Sequence, residues 1–420
     1  MHPLDPIPAP EVAERPPVKV VTVQQWIRVN LFPNVPNGIL TVLVGTVLAF
    51  VAFRALTFVF ASAQWEIVRR NLTLFMVGRF PRDELWRIWG AVLILAVGLG
   101  LRSGAQIVAQ RRAATEAGLP GPARIRWQDV LRRSWPLVLV IAVLLSLART
   151  VLPVFLVLGV VGFGLVARLL GRMVPPHVAR WRGTFPLLAF LIALQVLVRF
   201  DGVGWAAWQG LMLTLFLAAG GIVFSFPVGV LLALGRRSRL PVIRAVCVAY
   251  IELIRGVPLI TLLFMGAFAL GFFFPLGFPT PVPVTRAMIV IVAFTSAYMA
   301  EIVRGGLQAV PRGQMEAAMA VGLSAGKTQR LIVLPQALRA VIPAIVGQFI
   351  SLFKDTSLVT IVALTDLLRV TTIATAQPDF AGQGLQAEAL AFVSLIYWSI
   401  AYTMSRASQR LERRLGVGER

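Results

Sequence analysis

Long apolar segments recur along most of this chain, and their length restricts its fold more than any other feature. A helix needs about 20 mainly apolar residues to cross about 30 Å of hydrocarbon. Such segments cover residues 38–60, 86–101, 184–200, 210–234, 246–274, 286–303, 336–366 and 387–405. Hydrophobic residues make up 58% of the chain and charged residues 14%, against about 45–50% and about 25% in a soluble domain. We therefore predict an all-α, polytopic membrane protein and exclude a cytosolic enzyme, a disordered protein and a nucleic-acid-binding module.

The apolar stretch over residues 136–170 is too long for one span and short for two. Arg149 and Pro153 lie in its middle, where a continuous membrane helix would tolerate them poorly. The flanking segments 102–133 and 171–182 are rich in arginine, and basic loops favour the cytoplasm. We therefore predict a hairpin that turns near residues 149–153 at the outer face. Alternating inner and outer loops along the whole chain then gives about ten spans and places both termini in the cytoplasm.

One loop disagrees with this parity. Residues 61–85 fall outside the membrane on the outer face, although they contain Arg69, Arg70, Arg79 and Arg82. The net charge of +22 otherwise agrees with basic cytoplasmic loops.

Residues suited to covalent or metal chemistry are scarce. The single cysteine, Cys247, lies in an apolar run, and the two histidines, His2 and His177, are far apart in sequence. We predict no metal site, no disulfide and no catalytic residues. The first 37 residues are rich in proline and lack the apolar core of a cleavable signal peptide.

Residues 307–334 are too polar to span the membrane, although they lie between two spans. Pro311 suits the first turn of a helix, and Ser324 is a candidate N-cap for a second one. The pattern predicts two short helices that dock a soluble partner. The run Gly322–Thr328 resembles a phosphate-binding loop, but only three residues separate its glycines where that motif needs four. We therefore predict that this chain does not hydrolyse ATP.

Three pairs of charged residues fall within predicted spans. Glu252 and Arg255, like Glu301 and Arg304, are three residues apart and share a helix face. The pairs either steady helix ends near the cytoplasm or line a gate that meets the charges of a zwitterionic substrate. Lys354 and Asp355 form a further pair, for which we expect burial and mutual neutralisation or a role in the substrate path. Aromatic residues, Trp205, Trp208 and Phe272–Phe274, are expected in an outer interfacial belt.

One motif carries a family resemblance. Seven residues reproduce the pattern E-A-A-x3-G-x9-I-x-L-P at every position: Glu316, Ala317, Ala318, Gly322, Ile332, Leu334 and Pro335. This is similar to the EAA motif of binding-protein-dependent ABC importer permeases. The segments around residues 254–259, 297–306, 310–314 and 354–358 resemble polar amino acid permeases in particular. The resemblance covers about residues 205–405, and the longer chain resembles the extended permeases for glutamate, glutamine, aspartate and asparagine.

The resemblance implies a five-helix core with the MetI-like fold of type I importers. The expected organisation is a cytoplasmic tail over residues 1–37, additional membrane helices over 38–203, the core over 204–405 with coupling helices at 307–334, and a cytoplasmic tail over 406–420. Glu316 would pair with a donor on a separate ATPase, and Gly322 would permit the turn between the coupling helices.

The resemblance also implies the other members of the assembly. These are an ABC ATPase that binds ATP and magnesium, a second homologous permease or a second copy of this chain, and a periplasmic amino acid-binding protein. The expected location of this chain is the bacterial inner membrane. This chain itself would need no cofactor and would contact membrane lipid but no nucleic acid. An ion-gradient-driven secondary transporter, which would show internal repeats around a midplane ion site, stays open as the alternative. A membrane-bound enzyme is disfavoured because the sequence has no set of catalytic residues.

Overall fold

The computed structural model describes residues 22–118, 127–148, 150–198, 203–275 and 279–415. Within these ranges the regular structure is helical. The described residues also contain an isolated β-bridge, which joins Gly210 and Asp366. The chain divides into two compact units, Met1–Gln64 and Trp65–Arg420.

The first unit contains two helices, α1 (Val23–Leu31) and α2 (Val35–Thr57), and a π-helical turn continues α2 to Ser62. Thr22 caps α1 in a capping box with Gln25, and the Asn34 side chain accepts from the backbone N–H of Asn37 to start α2. The 28 residues from Val35 to Ser62 are long and apolar enough to cross a membrane. The predicted first span is thus confirmed, although it starts at residue 35. The predicted tail contains α1, and residues 1–21 lie outside the described part.

The second unit begins with six helices that precede the predicted core. They are α3 (Glu66–Val77), α4 (Leu85–Glu116), α5 (Trp127–Leu147), α6 (Leu152–Gly171), α7 (Pro176–Ala179) and α8 (Thr184–Val198). The stretch over residues 136–170 therefore does form two helices, with the turn between Leu147 and Leu152. Arg149 itself lies outside the described residues.

Helices α4, α6 and α8 pack closely because glycines remove side chains from their contacts. A side-chain carbon at Gly100 would lie 2.3 Å from the carbonyl oxygen of Gly164, and one at Gly104 would lie 2.2 Å from that of Arg168. The same construction at Gly98 meets Ala189 of α8 at 2.4 Å. The contacts with α6 follow the same order along both helices, so α6 lies parallel to α4. Helix α8 contacts α4 at Gly98. We call α4, α6, α7 and α8 the glycine-packed group.

The basic loop over residues 61–85 contains a packed helix, α3. Ile67, Val68 and Phe75 of α3 are fully buried, and the ring of Phe75 meets that of Phe392 edge-on at 5.2 Å. Arg70 pairs with Glu66 at 2.8 Å and with Asp379 at 3.4 Å. The additional helices are therefore not only a lateral appendage, because α3 forms part of the core of the C-terminal half.

The C-terminal half contains nine helices within the described residues. They are α9 (Gly210–Arg236), α10 (Pro241–Gly256), α11 (Leu259–Phe264), α12 (Pro283–Ala309), α13 (Arg312–Ala320), α14 (Ala325–Thr328), α15 (Leu334–Asp355), α16 (Leu367–Thr375) and α17 (Gln386–Leu415). Helix α9 packs against α12, where Gly229 makes room for Met299. Helix α17 packs against α15, α16 and α5. We call this half the permease half.

Ten segments of the described chain account for the predicted spans. Seven helical segments pass a length and hydropathy test for crossing a membrane, and a bent pair makes an eighth. Two shorter apolar helices, Trp135–Leu147 and Thr184–Val198, complete the set.

Two predicted spans differ from continuous helices. The span predicted at residues 246–274 bends by 104° between α10 and α11. Val257 there is extended and Pro258 has no N–H, so the helix cannot continue. The span predicted at 336–366 leaves α-helical geometry at Asp355 and continues as a 3-10 helix to Val362.

Candidate functional site

The segment between α12 and α15 forms the predicted pair of short helices, α13 and α14. Helix α13 ends at Ala320, and Gly322 follows in the turn with a φ of +85°, which favours glycine. The N–H of Gly322 donates to the carbonyl of Met319 at 2.9 Å, and that of Leu323 donates to the carbonyl of Ala318 at 3.1 Å. These two bonds form a Schellman motif, which fixes the turn through the backbone alone. Ser324 occupies the N-cap of α14 without a side-chain capping bond.

The seven residues of the EAA-like motif divide into an exposed set and a packed set. Glu316, Ala317, Gly322 and Pro335 are exposed, whereas Ala318 is buried and Ile332 and Leu334 are half-buried. A π-helical turn from Gln329 to Val333 joins α14 to α15, and Val333 is 5% exposed in the core. The second short helix is thus continuous with the next span, so displacement of one displaces the other.

The surface around Glu316 also exposes apolar side chains. Met315 is 37% exposed, Met319 49%, Leu331 58% and Val321 77%. Exposed methionine and aliphatic side chains around a carboxylate are typical of a surface that a protein partner covers. We call α13, α14 and the π-helical turn up to Val333 the coupling element.

A network of ion pairs joins three helices next to the coupling element. The carboxylate of Glu301 on α12, 16% exposed, accepts from Arg304 at 2.8 Å and from Arg236 of α9 at 2.8 Å. Arg255 of α10 lies 3.6 Å from the same carboxylate. Arg236 also pairs with Glu252 of α10 at 2.9 Å. We call these five residues the Glu301 network.

The network confirms one predicted pair and rearranges another. Glu301 and Arg304 pair as their spacing predicts, but Glu252 and Arg255 make no salt bridge with each other. Glu252 pairs instead with Arg236 of α9, and Arg255 pairs with Glu301 of α12. The sequence analysis did not connect Arg236 with these carboxylates, because its partners are 16 and 65 residues away.

Aromatic residues border this network. The guanidinium of Arg255 lies 5.6 Å from the ring centre of Tyr298, within cation–π range. The hydroxyl of Tyr250 donates to the carbonyl of Ala293 at 2.9 Å and so ties α10 to α12. The network therefore connects helices that also share hydrogen bonds, and its loss would loosen a defined contact.

The expected neutralisation of Lys354 by Asp355 is not present. Lys354 is exposed and Asp355 is half-buried, and no salt bridge joins them. Adjacent residues on a helix point about 100° apart, so these side chains do not share a face. A role of either residue in the substrate path stays a prediction.

A buried carboxylate that the sequence analysis missed lies between α15 and α16. Asp366 is fully buried and caps α16, where it accepts from the backbone N–H groups of Leu368 at 3.1 Å and Arg369 at 3.0 Å. It also accepts from the hydroxyls of Thr360 and Tyr397. An Asp that precedes an apolar helical run was the available signal.

The predicted aromatic belt is partly wrong. Trp208 is only 2% exposed, and its indole N–H donates to the carbonyl of Val203 at 2.9 Å. Trp205 is half-buried and donates to Thr285 at 3.1 Å. Both indoles are therefore core groups, since buried N–H donors need partners. Phe272 and Phe273 are exposed, as expected of a belt.

Comparison with known proteins decides the family. Residues 225–417 match the family described as binding-protein-dependent transport system inner membrane component. The inner membrane amino-acid ABC transporter permease protein YhdY of Escherichia coli is 35% identical over 409 residues, which cover 94% of this chain and 93% of YhdY. The chain belongs to this family of ABC importer permeases.

Two further proteins are similar to this chain over different shares of its length. The glutamate/glutamine/aspartate/asparagine transport system permease protein BztC of Rhodobacter capsulatus is 36% identical over 436 residues and 96% of each chain. A solved structure, described as an amino acid ABC transporter with histidines, is 31% identical over 49% of this chain and 92% of its own, with a TM-score of 0.44.

Family membership fixes what kind of molecule this is. It is a multi-pass inner-membrane permease subunit of an ABC importer, a class that moves its cargo with an ATPase and a binding protein and is not itself catalytic. The ion-gradient-driven alternative is not favoured.

Proposed function

We propose that this chain is the membrane-spanning subunit through which a separate ATPase drives the import of polar L-amino acids. The observation that carries the proposal is the coupling element. It exposes Glu316 and four apolar side chains, and the Schellman motif fixes the turn between its two short helices. A rigid, exposed element that continues into α15 is suited to convert motion of a bound ATPase into motion of the spans. ATP and magnesium would bind in that partner.

The substrate class follows from the relatives. BztC, which matches nearly the whole chain, is described as a permease for glutamate, glutamine, aspartate and asparagine. We propose the same polar class for this chain, with selectivity set together with a periplasmic binding protein. We propose that this chain pairs with a second, homologous permease rather than with a second copy of itself. The long N-terminal half favours this arrangement, because one such half in the assembly is enough.

The proposed orientation places both termini and the coupling element in the cytoplasm. The arginines at the C-terminal ends of α4 and α6 and those that follow α7 then face the cytoplasm, as the positive-inside rule favours. The loops before α9 and between α11 and α12 then face the periplasm, where a binding protein would dock.

The Glu301 network is proposed as the inner gate. It lies at the end of α12 that leads into the coupling element and joins α9, α10 and α12 through one shared carboxylate. Ion pairs that are partly exposed can break and re-form at modest cost, because water replaces the lost partner. Rotation of the spans would open the network, and the return of the ATPase to its starting conformation would close it. Lys354 and Asp355 are proposed to lie farther along the same path.

The test is uptake into proteoliposomes that contain this chain, its second permease and the ATPase, with the binding protein added outside. Labelled glutamate, glutamine, aspartate and asparagine are supplied one at a time. ATP is enclosed or omitted, and an ionophore removes ion gradients separately. We expect uptake that needs enclosed ATP and survives the ionophore. Uptake that persists without ATP and stops with the ionophore would refute the proposal in favour of a secondary carrier.

A further inference from the structure

One end of the glycine-packed group concentrates arginines that make no salt bridge with the described residues of this chain. Residues 85–198 contain only two acidic residues, Glu116 and Asp129. Glu116 pairs with Arg112 at 2.7 Å, and the side chain of Asp129 lies outside the described residues. Four arginines collect where α6 ends and α7 follows: Arg168, Arg172, Arg180 and Arg182. No salt bridge within the described part of the chain involves any of them.

Arg168 is the most constrained of the four. It lies in the last turn of α6, and its carbonyl occupies the space that a side chain at Gly104 would need. Its Nε atom is buried and has no hydrogen-bond partner. A buried donor without a partner is unfavourable, particularly on a cation. Among the described residues, Arg168 therefore lacks an acceptor for this N–H.

The surroundings of these arginines are apolar and exposed. Leu169 is 56% exposed, Leu170 54%, Met173 79% and Trp181 58%. The guanidinium of Arg180 lies 5.6 Å from the ring centre of Trp181. Arginine and tryptophan beside exposed aliphatic side chains are typical of the boundary between hydrocarbon and headgroups. A soluble anion would satisfy the arginines but would leave the aliphatic side chains in water.

We propose that this end of the group binds one anionic phospholipid of the inner leaflet. The headgroup phosphate would accept hydrogen bonds from Arg168 and Arg172, with Arg180 and Arg182 adding positive charge. The acyl chains would lie along the exposed leucines of α6. Such a lipid would stay on the additional helices, at the end of α6. The site needs only the arrangement of α4, α6 and α7, so it stands or falls separately from ATP-driven import.

The test is native mass spectrometry of the full chain, delipidated in detergent and titrated with phosphatidylglycerol. Phosphatidylcholine and inorganic phosphate are titrated in parallel. We expect one phosphatidylglycerol retained at concentrations where neither of the other two is retained. Equal retention of phosphatidylcholine would overturn the proposal, and so would binding of inorganic phosphate with equal affinity.

Variants locate the site. Arg168→Gln/Arg172→Gln is expected to weaken phosphatidylglycerol binding by at least about tenfold, because each arginine near an anionic headgroup contributes about 1 kcal/mol. Arg111→Gln/Arg239→Gln removes the same charge from exposed positions and is expected to bind like the parent chain. Arg168→Lys is expected to retain most of the binding. If the double variant does not fold, Arg172→Gln alone, at an exposed position, should still weaken binding several-fold. Equal affinities for Arg172→Gln and the control would contradict the proposal.

Discussion

The permease half and the glycine-packed group hold their helices together in different ways. In the permease half, arginines of α9, α10 and α12 share the carboxylates of Glu252 and Glu301. In the glycine-packed group, α4 and α6 meet backbone to backbone at Gly100 and Gly104, and the arginines nearby have no carboxylate partner among the described residues. Ion pairs between helices can break and re-form, whereas interlocked backbones cannot separate without loss of packing. The permease half has such a backbone contact too, at Gly306 against Ala337, so the two regions differ in their interhelical ion pairs. We expect motion in the half that has these pairs.

The largest expected effect is at the coupling element. Glu316→Lys reverses the charge at the centre of the exposed surface and should abolish both uptake and co-purification of the ATPase. Glu316 is exposed, so helix content measured by circular dichroism should not change. The matched control is Glu116→Lys, the same reversal on an exposed residue of α4, which should leave uptake unaffected. Normal co-purification of the ATPase with Glu316→Lys would refute the assignment of the coupling element.

The next effect is expected at the Glu301 network. Glu301→Gln leaves three arginines without their shared carboxylate, so we expect uptake to fall about tenfold or more and stability to fall by about 1–3 kcal/mol. Glu252→Gln is the control within the network, because Glu252 is 55% exposed and meets only Arg236. Its expected cost is about 0–1 kcal/mol. Uptake and thermal unfolding of both variants are compared, and equal behaviour would contradict a central role for Glu301.

A third substitution tests whether the glycine-packed group is rigid. Gly104→Ala places a methyl group 2.2 Å from the carbonyl oxygen of Arg168 and should cost about 1–3 kcal/mol of stability. Gly162→Ala is the matched control, because nothing lies within 4 Å of its side-chain position. It should be neutral or stabilise α6 by up to about 1 kcal/mol. Thermal unfolding in detergent distinguishes them, and equal midpoints would remove the basis for a fixed group.

The smallest effect on uptake is expected at the buried cap. Asp366→Ala leaves two backbone N–H groups and two hydroxyls of the permease half without their acceptor, which should cost about 1–3 kcal/mol. Because Asp366 belongs to neither the coupling element nor the Glu301 network, uptake per folded molecule should change little. The readouts are the thermal midpoint and the uptake rate at low temperature. A severe loss of uptake with an unchanged midpoint would move Asp366 into the transport path.

The sequence predicts features that depend on local pattern. Apolar length, charge and glycine predict the spans, the two helices of residues 136–170 and the turn at Gly322. The structure confirms seven long apolar helices, the two helices of 136–170 and the turn, and it bends the span predicted at 246–274. Local pattern cannot predict partners that are distant in the chain. Arg236 reaches Glu301 across 65 residues, and Phe75 of α3 packs on Phe392. Trp208 was misplaced for another reason, since its contacts with Val203 and Phe216 are close in sequence but its aromatic character alone does not distinguish a core position from an interfacial one.

The coupling element provides the most direct test of the account. In a chain with Cys247→Ser, which removes the native cysteine, Met319→Cys places a thiol on the exposed face of α13, and Arg111→Cys places one on the exposed end of α4. Each variant is assembled with the ATPase and treated with a short cross-linker. The account predicts a cross-link from position 319 to the ATPase that changes in yield when ATP is added, and none from position 111. No cross-link from position 319, or equal cross-linking from both positions, would contradict it.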